Sequence, residues 1–224
     1  VDGDRRINLD DPLPAPFTES GRPRLGVRLF VRGQIKRFLS ALIAEVTNWI
    51  GTTRLKSANL LKMVVVLVEE HLTVEAHMIL PAFIKALGFA RGDDDRDLVA
   101  VLLEVFTLTG RYLLPEVYVH YILPRLSGDP KVVQFGVDAK TREEVLMILG
   151  CLLRGSQPRE IAPHFGSIMT ALTDPFVIDI TSTRTHAAAA ELMHVLLLRM
   201  AGHGKAAIEG HFLSTGRLTS LRGT

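Results

Sequence analysis

The chain has 224 residues, 47% apolar and 6% aromatic, and its 26 Lys and Arg against 24 Asp and Glu leave a net charge of +2. A chain this long buries roughly 70–75% of its unfolded surface, so it needs neither disulfides nor metals to fold. Cys151 is the lone cysteine, which excludes a disulfide framework and a multi-cysteine zinc site and suits a reducing compartment.

Near-neutral charge argues against bulk attraction to nucleic acid or an anionic membrane. The longest stretch free of charged side chains, Ile161–Thr173, falls short of the roughly 18 apolar residues of a membrane span. The chain opens at Val1 with no charged-then-apolar leader, so no signal peptide is expected and the sequence reads as a cut fragment. Residues 1–24 hold Pro12, Pro14, Pro16 and Pro23 and no regular hydrophobic period, which predicts an extended surface linker. From Leu25 onward, apolar segments alternate with Gly, Pro, Asp and Ser. They predict helices near 34–49, 53–72, 74–87, 95–110, 115–127, 139–154, 158–172, 183–201 and 204–214, with a short leading helix over 25–32.

The breakers fall between these segments. Asp93, Asp94 and Asp95 suit a helix cap, and Pro115 and Pro158 suit a first helical turn, where a missing N–H costs nothing. Gly128 and Gly155 suit the left-handed position past a helix end. The β-branched run Met63–Val68 competes as a strand, but Leu55, Leu60, Leu61 and Leu72 extend the apolar pattern over about five turns, and helix is expected.

Internal similarity recurs at one spacing. His77-Met78-Ile79-Leu80-Pro81 is followed 43 residues later by His120-Tyr121-Ile122-Leu123-Pro124, Pro115 is followed at the same interval by Pro158, and Leu60, Leu103, Leu146 and Ala189 follow it too. Units of about 40–47 residues, each a helix pair, characterise HEAT and armadillo arrays, whereas shorter repeats run near 33–34. The fold class expected is therefore all-α, an α-α superhelix of about four to five antiparallel helix pairs. The pairs lie near 25–49, 53–87, 95–127, 139–172 and 183–214, and together form an array over 25–224. Each pair hides its apolar face only by stacking on the next. Pro81 and Pro124 are expected to kink their helices.

No catalytic constellation emerges, and the chain reads as a non-enzyme without cofactor or metal. Glu191-x-x-His194 is a single ligand pair where a di-iron bundle needs two and further glutamates. His77 and His120 recur with the repeat. Gly202-His203-Gly204-Lys205 lacks the flanking residues of a phosphate loop and reads as a loop between helices. Cys151 reads as a small buried hydrophobe. One charge pattern is distinctive: Arg24, Arg28, Arg32 and Lys36 recur every four residues, joined by Arg22 and Arg37, with no acidic residue from Gly21 to Ala44. On a helix these form a basic stripe, either a docking surface for an acidic partner or a solvated face, with Gly26 and Gly33 arguing for a broken helix.

Two longer stretches carry a family resemblance. Asn48-Trp49-Ile50-Gly51-Thr52-Thr53-Arg54-Leu55-Lys56-Ser57-Ala58, with Leu60-Leu61 and Glu69-Glu70-His71, is the first. The second is Arg154-Gly155-Ser156-Gln157-Pro158-Arg159-Glu160-Ile161-Ala162-Pro163-His164, and Leu114-Pro115-Glu116-Val117-Tyr118 with Ile122-Leu123 is a weaker third. Over about residues 45–200 the chain resembles the dynein axonemal assembly factor 5 family of HEAT-repeat proteins. It departs from that pattern at Gly92–Asp95, between Ser127 and Lys140, and after Gly202. The resemblance implies a cytoplasmic, non-enzymatic scaffold in the preassembly of axonemal dynein arms for motile cilia or flagella. It implies dynein heavy and intermediate chains, other assembly factors and chaperones as partners, and no catalytic residues.

Two other readings compete. A different HEAT scaffold, such as a phosphatase regulatory subunit or nuclear transport receptor, shares the fold, although such receptors are usually acidic. A helical-repeat nucleic-acid binder or enzyme would need a basic concave face with aromatic stacking partners. The chain's basic residues outside 22–37 are scattered and its aromatics few.

Overall fold

The computed structural model describes residues 12–48, 50–90, 95–127, 139–178 and 182–214, and these are helices and their junctions with no strand among them. The helices are α1 (Phe17–Ser20), α2 (Leu25–Val46), α3 (Gly51–Val68), α4 (Ala76–Phe89), α5 (Arg96–Tyr112), α6 (Pro115–Leu126), α7 (Ala139–Gly155), α8 (Pro158–Ile161), α9 (Phe165–Leu172), α10 (Pro175–Ile178) and α11 (Thr183–Ser214). Short 3-10 segments, Glu69–Glu75 and Ala162–His164, join α3 to α4 and α8 to α9. One layer stacks α2, α3, α5, α7 and α11 side by side; α4, α6 and α9 form a second layer against it. The protein is an all-α helical-repeat solenoid.

Burial follows from spacing. In α2 the buried apolar residues are Ile35, Leu39, Leu42 and Val46, three or four apart, so a single face meets α3. In α3, Val64, Val65, Val66 and Val68 are all buried. The helix lies between α2 and α5, and an all-round apolar surface suits a helix with neighbours on two sides. Between the layers Phe83 of α4 meets Phe106 of α5 with ring centroids 4.4 Å apart and a 41° tilt. Pro115 and Pro158 begin α6 and α8, as their fixed φ favours.

The His-x-Ile-Leu-Pro repeat has a structural meaning. His77 and His120 are exposed, while Ile79 and Ile122 are each 1% exposed and point into the same interlayer core. Pro81 and Pro124 lie inside α4 and α6, where each removes one backbone donor. The first-layer leucines are less uniform. Leu60 is half-exposed, Leu103 lies partly buried against the core, and Leu146 is fully buried. The buried face of α3 is Leu61, Val64, Val65 and Val68, which matches Leu102, Val105, Phe106 and Thr109 of α5 in order and spacing. The 43-residue interval therefore holds between α5 and α7 but slips by two residues between α3 and α5. After Val68 the chain leaves the helix, whereas α5 continues past Thr109 to Tyr112.

Several elements differ from the sequence expectation. Residues 25–46 form one continuous helix: Gly26 and Gly33 have open space around them and nothing to break for. Gly202–Lys205 is not a loop but lies within α11, which runs unbroken to Ser214. The amino-terminal stretch is not simply extended, since α1 forms and Leu13 and Phe17 pack on the core. Gly155 is the last residue of α7 and is not left-handed; among the described glycines only Gly21 has positive φ. Asp95 stands at the start of α5 but makes no side-chain cap bond, because its carboxylate accepts from Arg54 at 2.9 Å. Trp49, Asp93, Asp94 and Gly128 lie outside the described residues.

Candidate interaction surface

Continuity of α2 puts Arg24, Arg28, Arg32 and Lys36 on one ridge, as their spacing requires. The structure then divides them. Arg24 and Lys36, at the two ends, are exposed. Arg28 is 4% exposed and donates through Nη1 to Glu69 Oε2. Arg32 donates to the same oxygen at 2.7 Å and lies 3.0 Å from Glu70 Oε1. Arg22 completes the cluster by a fork, Nε to Oε1 at 2.8 Å and Nη2 to Oε2 at 2.9 Å. The stripe is thus partly an internal clamp.

Glu69 sits at the point where α3 stops. Its φ of 53° is unusual for a residue with a side chain, and its N–H still reaches the Val65 carbonyl. The reversal brings the carboxylate under α2. A buried carboxylate costs several kcal/mol unless it is well paired, and here three guanidiniums converge on it, one of them in the bidentate geometry that favours Arg over Lys. Glu70 adds a second carboxylate to the cluster, through Arg32. Tyr112 lies in the same field: burial pushes its phenol up to about 12, with Arg111 opposing and Glu69 adding to the rise.

A second set of arginines lines a groove at the junction edge of the array. Arg111 ends α5, Arg154 lies in the last turn of α7, and Arg199 comes from α11. Arg111 donates to the Pro12 carbonyl at 3.1 Å. Arg154 donates to Glu191 at 2.7 Å in an exposed pair. Beneath them α5 and α7 are in backbone contact. A Cβ on Gly155 would stand 1.8 Å from the Thr107 carbonyl oxygen, and one on Gly110 would stand 2.0 Å from that of Leu152. Ser156, 1% exposed, lies 2.8 Å from the Gly110 carbonyl and 2.9 Å from both the Leu152 carbonyl and the Tyr118 hydroxyl. The Arg-Gly-Ser segment of the sequence is accordingly a packing device. Burial raises the Tyr118 phenol, against its hydrogen bond to Ser156.

The remaining candidate side chains have ordinary structural surroundings. Glu191 is paired with Arg154 and His194 is exposed; His120 Nδ1 lies 2.6 Å from the Glu116 carbonyl. Among the described residues no group of three His, Cys, Asp or Glu is placed to hold a metal. Cys151 borders a cavity of about 180 Å³ between α5, α7 and α11, and burial pushes its thiol up, which disfavours the reactive thiolate. Arg54 is nearly buried and donates to the Phe89 carbonyl at 3.1 Å as well as to Asp95, linking the start of α3 to the turn before α5. The Glu69 acceptor and the Arg111–Arg154 row were missed in the sequence. The row has a signal there, since each arginine stands four residues before a helix-starting proline, Pro115 and Pro158, at the repeat interval.

Residues 15–214 match the family model described as dynein axonemal assembly factor 5, HEAT-repeat domain. The chain is similar to the mouse and human proteins named dynein axonemal assembly factor 5, at 27% and 28% identity over 173 residues, covering 77% of this chain and 18% of each of theirs. The Xenopus laevis protein of the same name is 27% identical over 173 residues, 76% of this chain and 19% of its own. The chain thus spans under a fifth of the length of these curated relatives. No solved structure matches it.

Proposed function

The chain belongs to the dynein axonemal assembly factor 5 HEAT-repeat family, and we propose that it is a non-enzymatic scaffold segment in the cytoplasmic preassembly of axonemal dynein arms. The observation that carries this reading is the match of one family model to residues 15–214, nearly the whole helical array. A solenoid suits the role: its stacked helices expose long surfaces from which several partners are held at once. No helix among the described residues is long and apolar enough to cross a membrane.

The proposed partners are dynein heavy and intermediate chains, other assembly factors and chaperones. Their contact on this chain falls on Arg24 and Lys36, the exposed ends of the α2 stripe, because Arg28 and Arg32 are engaged by Glu69. The test is affinity capture from cytosol of cells building motile cilia, read by mass spectrometry. Dynein heavy and intermediate chains should be enriched on the native chain and depleted when Arg24→Glu and Lys36→Glu are combined. Recovery of phosphatase subunits or transport cargo in place of dynein chains would overturn the dynein role and leave the fold intact.

A further inference from the structure

We propose that the cavity between α5, α7 and α11 is a binding site for a small uncharged aromatic molecule of the size of benzene or toluene. Its volume is about 180 Å³, and a leucine from each helix walls it: Leu103, Leu146 and Leu192. An apolar cavity of about 150 Å³ lined by such side chains stays dry and takes up benzene. The site shares no residue with the α2 stripe, so it goes beyond the assembly role and stands without it.

Three undersized side chains leave the space open. The 43-residue interval runs on from α7 into α11, since Phe106, Leu149 and Leu192 stand on it and are each 0% exposed. On the same interval Gly150 and Cys151 take the places of Thr107 and Leu108, and Ala188 takes that of Val145. Each is the smaller of its pair, and all three line the cavity. A Cβ added at Gly150 would meet nothing closer than Leu192 Cδ1 at 3.9 Å, an ordinary contact, so room remains on that side. Protein interiors hold few voids larger than a water molecule, because the walls of a void lose dispersion contacts. An occupant restores the contacts that these three side chains forgo.

The lining selects the occupant. Apolar walls exclude a charged molecule, whose burial without a partner is costly. Met147 brings a thioether to the wall, and thioether sulfur packs favourably against an aromatic ring. Arg154 and Glu191 also line the cavity and are 46% and 60% exposed, so the space reaches solvent beside them. An ion pair so open to water is weak and yields to an entering molecule.

The experiment is isothermal titration calorimetry of the whole chain with toluene. A single molecule should bind saturably, and combining Gly150→Ala with Ala188→Val should weaken it at least about tenfold, or 1.4 kcal/mol. Ala41→Val, the same chemical change on an exposed position of α2, should leave binding unchanged. If the paired variant loses its helical circular dichroism, Cys151→Leu, which restores the residue found one repeat earlier, gives the same comparison. The proposal is overturned by absence of saturable binding, or by equal affinity in the filled variants. Tighter binding of N-acetylphenylalanine amide than of toluene would also overturn it, in favour of an aromatic side chain offered by a partner protein.

Discussion

Arg28 and Glu69 lie 41 residues apart and meet with both side chains almost out of water, 4% and 2% exposed. The contact ties the first long helix to the point where the second one ends, and Arg22 and Arg32 close on the same carboxylate from either side. Helix α2 has a narrow apolar face and relies on this ionic anchor near its amino-terminal half.

Removing the acceptor should therefore be costly. Glu69→Gln keeps the shape of the side chain but removes the carboxylate charge on which Arg22, Arg28 and Arg32 converge, and loss of one member of a buried pair typically costs about 3–5 kcal/mol. Urea unfolding followed by circular dichroism should show a loss of that size, while Arg24→Gln, on the exposed end of the stripe, should fall within about 0.5 kcal/mol of the parent. A drop below about 1 kcal/mol for Glu69→Gln would mean the cluster does not anchor α2.

Two glycine-to-alanine changes should move stability in opposite directions. At Gly155 the added carbon meets the Thr107 carbonyl oxygen at 1.8 Å, so α5 and α7 must separate, and overpacking of this kind costs about 1–3 kcal/mol or more. At Gly33, in the middle of α2, nothing lies within 4 Å, and alanine should stabilise the helix by about 0.5–1 kcal/mol. Thermal unfolding of both variants checks this, and Gly155→Ala melting like the parent would mean that α5 and α7 do not meet backbone to backbone at that point.

Alkaline titration should report the core. All three tyrosines are shifted upward by burial, Tyr112 to about 12 with Tyr118 and Tyr121 also raised. A phenol held protonated in the fold but ionised in the unfolded chain contributes stability that is intact below about pH 10. For Tyr112 that contribution is lost as the pH rises through about 12. Tyrosinate absorbance should accordingly stay flat through pH 10 and then rise together with loss of helix. Early ionisation of all three phenols without unfolding would contradict their burial.

Much of the fold was legible because its signals are local. Pro115 and Pro158 mark helix starts through their own geometry, and the repeated Ile of His-x-Ile-Leu-Pro marks the inward face through helical spacing. Gly26 and Gly33 misled because a glycine permits a break without requiring one, and tertiary burial of Ile35 and Leu39 keeps α2 whole. The surface was legible only in half. A spacing of four aligns the arginines of α2, but the acceptor that withdraws Arg28 and Arg32 comes from Glu69, far along the chain, through a backbone reversal that no periodicity announces. Arg111 and Arg154 needed the third dimension to be joined by Arg199.

The hydrogen bond between Arg111 and Pro12 closes a loop of 99 residues. Contacts within and between neighbouring helices close short loops at little entropic cost, whereas a contact across a loop this long costs more to close. The bond ties Pro12 back to the end of α5 across the whole stretch of chain that forms α2, α3 and α4, so the first turn of the array is fastened to its middle and not only to its immediate neighbour.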